Sequence, residues 1–165
     1  MLALQISSMK LFMNQLLATD AFDLFLLQEA VITTANTYTI DGRMNRDFFS
    51  KEELENGSCP YEFQPWSEIR GLCFHLIKGK HTPLFFKFIL QLKPQKAAAL
   101  LKDHADADFS AIKSLVLSIR YDGSKAILTT ATAQHTFVLS READLIWDKA
   151  LCAYLASREI PFEIL

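Results

Sequence analysis

Nothing in this chain announces a chemistry. Its three cysteines, Cys59, Cys73 and Cys152, are odd in number and share no close spacing. That excludes a disulfide framework and a zinc knuckle, and it points to a reducing cytosol. The four histidines are His75, His81, His104 and His135. None stands at a metal-ligand spacing from another His or Cys, and the His104-Ala105-Asp106 stretch reads as loop, so no metal is expected. No Gly-x-Ser-x-Gly elbow is present, no signature implies a cofactor, and none is expected. The formal net charge of −2 gives no global pull towards nucleic acid or an anionic membrane. No window approaches the roughly eighteen uninterrupted apolar residues of a membrane span. Residues 1–6 are apolar but lack a basic n-region, and Gln5, Ser7, Ser8 and Lys10 interrupt them too early for a signal peptide. A cytoplasmic setting is expected.

What is abundant is core material. Half of the 165 residues are hydrophobic and thirteen are Phe, enough for one folded domain and too many for a disordered chain. The chain also echoes itself. Ile32-Thr33-Thr34-Ala35, leading into Tyr38-Thr39-Ile40, is matched by Leu128-Thr129-Thr130-Ala131, leading into Thr136-Phe137-Val138. Each echo precedes a Trp-led helical stretch, from Trp66 and from Trp147. This pattern predicts an internal duplication with halves of about 1–79 and 84–158, a joint at 80–83 and an apolar tail at 160–165.

Local signals fill in the halves. Residues 2–6 read as a strand, and Ser7 and Ser8 cap a helix whose Met9, Phe12, Met13 and Leu16 recur at helical spacing. Residues 22–34 and 37–40 read as extended, with Asn36 at a bend. Asp41-Gly42 reads as a turn, with 43–49 as the returning strand of a hairpin. Ser50 and Glu53 form a capping box for a short helix ending at Asn56-Gly57. In the next helix Trp66, Ile69, Leu72, Cys73, Leu76 and Ile77 form one apolar stripe, with His75 on the solvent side.

Residues 84–92 give the cleanest alternation: Phe86, Phe88, Leu90 and Leu92 on one face, Phe85, Lys87, Ile89 and Gln91 on the other. The two apolar residues on that second face mark a central strand, or one that meets a partner. Pro94 opens a helix, and Asp122-Gly123 links two strands as a hairpin. Residues 135–139 read as a third strand. Ser140 caps a final helix that turns Leu145, Trp147, Leu151, Tyr154 and Leu155 inward. The expectation is an α+β fold of two β-α-β-β-β-α units, an antiparallel sheet with helices on one face. Its element order is similar to DNA-clamp and TATA-box-binding-like folds, an analogy that carries no function.

Two polar clusters qualify as candidate sites. Residues 77–83 contain Gly-Lys-x-Thr, but Phe74 stands where a P-loop needs glycine, and the order runs helix to strand. Lys78, Lys80 and His81 then either complement a helix C-terminus or bind an anion. Arg43 and Arg46, steadied by Asn36 or Asp41, are placed to grip a carboxylate or phosphate, or simply to form a solvated hairpin tip. Cys73 and Cys152 sit on apolar helix faces, where a thiol is inert, whereas Cys59 is loop-borne and more accessible. Lys87 between Phe86 and Phe88 is the only basic–aromatic interleaving, and a strand explains it better than nucleic acid does.

The segment 22–30, with Ile32-Thr33-Thr34, 39–43, 76–80 and Thr82-Pro83, resembles an uncharacterised domain family of anaerobic, clostridial-type gut bacteria. The resemblance spans essentially the whole chain. It implies a bacterial, cytoplasmic setting and assigns no residue a role. The leading expectation is therefore a non-enzymatic binding or interaction domain whose partner is a protein or a second copy of itself. The alternative is a small enzyme or binding protein for an anionic metabolite held by Arg43, Arg46, Lys78, Lys80 and His81. A nucleic-acid-associated role ranks third.

Overall fold

The alternation of residues 85–92 is realised as the central strand of the sheet. The computed structural model describes residues 1–104 and 108–165, so the loop expected around Ala105 and Asp106 lies outside the described residues. The elements run β1 (Ala3–Ile6), α1 (Met9–Ala18), β2 (Phe25–Thr33), β3 (Thr37–Asp41), α2 (Lys51–Glu55), β4 (Gln64–Pro65) and α3 (Trp66–Ile77). They continue with β5 (Phe85–Leu92), α4 (Pro94–Lys102), β6 (Ile112–Tyr121), β7 (Ala126–Gln134), α5 (Glu142–Ser157) and β8 (Phe162–Ile164). The eight strands form one antiparallel sheet in the order β3-β2-β5-β6-β7-β1-β8, with β4 added to β2.

Register carries the apolar pattern across the sheet. Ala30, Phe88, Ile119, Leu128 and Leu4 are paired neighbours in one row, and Leu27, Leu90 and Leu117 in another. These rows are buried together with Phe12 and Leu16 of α1, Trp66 and Cys73 of α3, and Trp147, Leu151 and Leu155 of α5. Those three helices therefore cover one face. The other face carries Lys87 beside Glu29 (3.3 Å), Gln91 donating to Gln28 (2.7 Å) and Arg120 over the Phe85 ring (5.2 Å). A face of paired charges and amides is stable in water, which is why an antiparallel sheet can leave it open.

Polar contacts fix how the helices sit. Trp66 donates its indole N–H to the Leu16 carbonyl at 2.9 Å, and Trp147 does the same to Val116 at 2.9 Å. Along α5, Asp144 accepts from the Thr132 hydroxyl at 2.7 Å and Asp148 accepts from the Thr130 hydroxyl. Four-residue spacing on the helix thus meets two-residue spacing on β7. Ser8 caps α1, the Ser50–Glu53 capping box forms, and Pro94 opens α4.

Several expectations are corrected. Residues 43–49 are not a strand: Arg43 makes one isolated bridge to Phe63, and Arg46–Phe48 is a single 3-10 turn. The segment has no period-two alternation to offer a ladder. Residues 135–139 are irregular, leaving Phe137 and Leu139 each 85% exposed, so neither half is β-α-β-β-β-α. Leu72 (49%) and Leu145 (60%) face solvent: α3 buries Trp66 and Cys73, and α5 turns Ala143, Ile146, Trp147, Leu151 and Leu155 inward instead. Cys59 is buried rather than accessible. The tail docks on its own chain: β8 pairs with β1, and Ile160 is buried.

Candidate functional site

A groove lies between α1 and α3, over the end of the sheet. Ser8 starts α1 so that Phe12, Leu16 and Leu17 enter the core, which places Met9 and Met13 half-buried on its flank beside Lys10 and Asn14. Helix α3 drives Trp66 and Cys73 inward and leaves Phe74 and Ile77 beside the same space. It ends where the Lys78 N–H reaches the Phe74 carbonyl at 2.8 Å, and the Lys78 ammonium lies 5.5 Å over the Phe74 ring. Phe86 and Tyr121, stacked at 4.9 Å, line the groove from the sheet, with Thr82 and Pro83 beside them. The space measures about 450 Å³.

Lys10 and Lys78 are the only charged residues lining it among the described residues. The sequence explains this: neither residues 1–19 nor residues 69–102 contain a single Asp or Glu, and the groove-lining residues of α1 and α3 all come from these stretches. Asp122, next in sequence to Tyr121, is held elsewhere. Its carboxylate accepts from the Lys125 and Ser124 backbone N–H groups and the Ser124 hydroxyl, which pull its pKa down to about 2. Two methionines and three aromatic rings make an adaptable apolar wall. Among the described residues the lining holds no carboxylate, imidazole or thiol; its ionisable groups are the Lys10 and Lys78 ammonium groups and the Tyr121 hydroxyl.

The residues anticipated from sequence do not share one place. Lys78 borders the groove, followed in the chain by exposed Lys80 and His81. Arg43 lies near the other end of α3. Its guanidinium pairs with Glu62 at 2.9 Å and sits 5.2 Å over Phe63, and its neighbour Gly42 accepts from the Gln64 N–H. Twelve helical residues separate the two ends, about 18 Å. Asp41 accepts from the Arg43 backbone N–H rather than from its guanidinium, and Asn36 is a turn residue at the far end of β3. Arg46 sits in the 3-10 turn. Sequence reading missed Met9, Lys10, Met13 and Tyr121; the acid-free stretches were the available signal.

A second cavity, of about 510 Å³, lies between α4 and the end of the sheet, lined by Leu26, Gln91 and Ser114 among others. The Ser114 hydroxyl is buried without a partner among the described residues. Burial pushes the Cys73 thiol up to about 12, and burial followed by the charge of Asp148 raises Cys152. All three cysteines are unpaired thiols. Among the described residues no three His, Cys, Asp or Glu side chains converge on a metal position, and no helix is long and apolar enough to cross a membrane.

These features define an α+β protein with a one-sided antiparallel sheet and an apolar groove bordered by cations. Residues 15–163 match the model of a family of unknown function, DUF5721, and the chain belongs to that family. No curated protein and no solved structure matches it.

Proposed function

We propose that this protein is a non-enzymatic binding domain that seats an apolar, anionic group in the groove between α1 and α3. The observation that carries this reading is the groove lining itself: methionine, aromatic and aliphatic walls with Lys10 and Lys78 as the only charges among the described residues. An apolar space of this size, with few polar groups to orient an occupant, has the build of a ligand site. Binding of the dye anilinonaphthalene sulfonate, itself apolar and anionic, tests it. Fluorescence should saturate at one site on the native protein and vanish in Met13→Glu and in Phe74→Glu. No enhancement, or enhancement surviving both variants, overturns the reading.

A second reading, self-association or docking of a protein partner, is favoured by one observation: Phe137 and Leu139 each stand 85% exposed, with exposed Val138 between them in the chain. Apolar side chains bunched on a surface mark contact surfaces. Sedimentation velocity should show concentration-dependent association that Phe137→Ser with Leu139→Ser removes; a monomer at every concentration excludes the second copy. The anionic-metabolite alternative needs Arg43 and Arg46 on one wall with Lys78, Lys80 and His81. The length of α3 and the Arg43–Glu62 pair weigh against it. Internal duplication fits the matched roles of Trp66 and Trp147 as indole donors to backbone carbonyls. A bacterial, cytoplasmic setting fits the resemblance carried by residues 22–30, 32–34, 39–43, 76–80 and 82–83, and the three free thiols. The third reading, a role beside nucleic acid, loses its support, since neither half keeps the clamp-like element order.

A further inference from the structure

We infer that the occupant of the α1–α3 groove is a small acyl carboxylate, a saturated monocarboxylic acid of about ten carbons. The inference rests on the binding reading above and adds the chemical class of the ligand.

Three features lead to it. The apolar stripe Met9–Met13–Leu17 runs eight residues along α1, about 12 Å at the helical rise, which is the reach of an extended chain of about ten carbons. The volume of about 450 Å³ accommodates one such chain. A flexible saturated chain also suits a wall with two methionines, which repack around a shape that has no fixed features. The second feature is charge. Two ammonium groups border the groove and no carboxylate lines it, so an occupant with no anion leaves both lysines without a counter-charge, and a cationic occupant is repelled. The third is the shortage of hydrogen-bonding groups. Away from Lys10 and Lys78 the polar lining is limited to Asn14, Thr82, the Tyr121 hydroxyl and backbone, too little to satisfy a sugar, a nucleotide or a run of peptide amides. A ligand with one anionic end and an otherwise apolar body meets all three.

The test is displacement of the bound dye, with calorimetry as a check, using hexanoate, octanoate, decanoate, dodecanoate and decanol below their micelle concentrations. Each methylene drawn into the groove should tighten binding about fourfold, the gain flattening beyond about ten carbons where the stripe ends. Decanol should bind about tenfold more weakly than decanoate, because a charge-assisted contact is lost. The double variant Lys10→Gln with Lys78→Gln should weaken decanoate about tenfold and leave decanol unchanged. If the dye binds but no carboxylate displaces it, the ligand class falls and the groove stands. If an acidic amphipathic peptide displaces the dye while decanoate does not, the occupant is protein. If neither dye nor carboxylate binds, the binding reading falls too. Equal affinity for decanoate and decanol, or no effect of the double variant, overturns the assignment of the lysines.

Discussion

Gly42→Ala should damage this fold far more than its place in a polar segment implies. A Cβ at position 42 would overlap the Leu27 carbonyl oxygen outright, and it would stand 2.7 Å from the Leu27 carbonyl carbon and 3.1 Å from the Gln28 oxygen. All three are backbone atoms of β2, at the register shift between Leu27 and Glu29. They cannot swing aside as a side chain can. Gly42 is also held where it is, donating its N–H to Gln28 at 2.9 Å and accepting from Gln64 at 2.8 Å. Relief requires about 1.5 Å of movement, which breaks both bonds at about 1 kcal/mol each and adds about 1–3 kcal/mol of overpacking. The expected loss is about 3–5 kcal/mol, or a melting temperature lower by about 6–20 °C for a chain of this size. Urea and thermal unfolding measure it. Gly71→Ala is the control: exposed on α3 with nothing near its added methyl, it should gain about 0.5–1 kcal/mol. A Gly42→Ala loss under about 1 kcal/mol would refute the close-approach argument.

Trp66→Phe removes the donor to the Leu16 carbonyl in the core, and urea unfolding should show a loss of about 2–4 kcal/mol; a neutral change contradicts the bond. Deleting residues 161–165 strips β8 from β1 and should lower the melting temperature by about 5–10 °C, whereas an unchanged value makes the tail idle. The Cys73 thiol, pushed up to about 12 by burial, should react with a disulfide reagent at pH 8 only after unfolding. Its folded pKa lies above the ordinary value of 9.0, so its contribution to stability is whole below pH 9.0 and is lost as pH rises towards 12. The Asp122 carboxyl should titrate near pH 2 by NMR, and stability tied to it persists above the ordinary value of 3.8 and is lost as pH falls towards 2. A midpoint of 3.8 for that carboxyl would contradict the turn geometry.

Where local signals and tertiary demands agree, the fold is legible in the residues. Phe85 to Leu92 alternates in sequence and alternates in burial, because a central strand shows one face to the helices and the other to the open side. The Ser50–Glu53 box and the Asp122–Gly123 turn are closed by atoms a few residues apart, so spacing alone reveals them. Gly42 fails that test. Asp41-Gly42 has turn composition, yet Gly42 is not in the left-handed region, and its missing side chain serves a contact with β2. Phe137, Val138 and Leu139 have strand composition but find no ladder, and only pairing decides that. The groove is legible only in part. Lys78 was visible as a cation at a helix end, but its companions Lys10 and Tyr121 stand 68 residues before it and 43 after it. No spacing rule spans such gaps.

The position of β1 between β7 and β8 has a consequence for how the chain is made. Residues 3–6 are made long before their partners, residues 127–129 and 162–164. At about 5–20 residues per second, roughly 6–25 s pass before β7 emerges, and longer before β8. During that interval Leu4 and Ile6 belong to a strand with no ladder, and the sheet grows from β2 and β3 outward. Delivery of β8 is therefore the step that seals the outer edge of β1. A stalled or truncated chain would expose the edge of β1, a template for pairing with its neighbours.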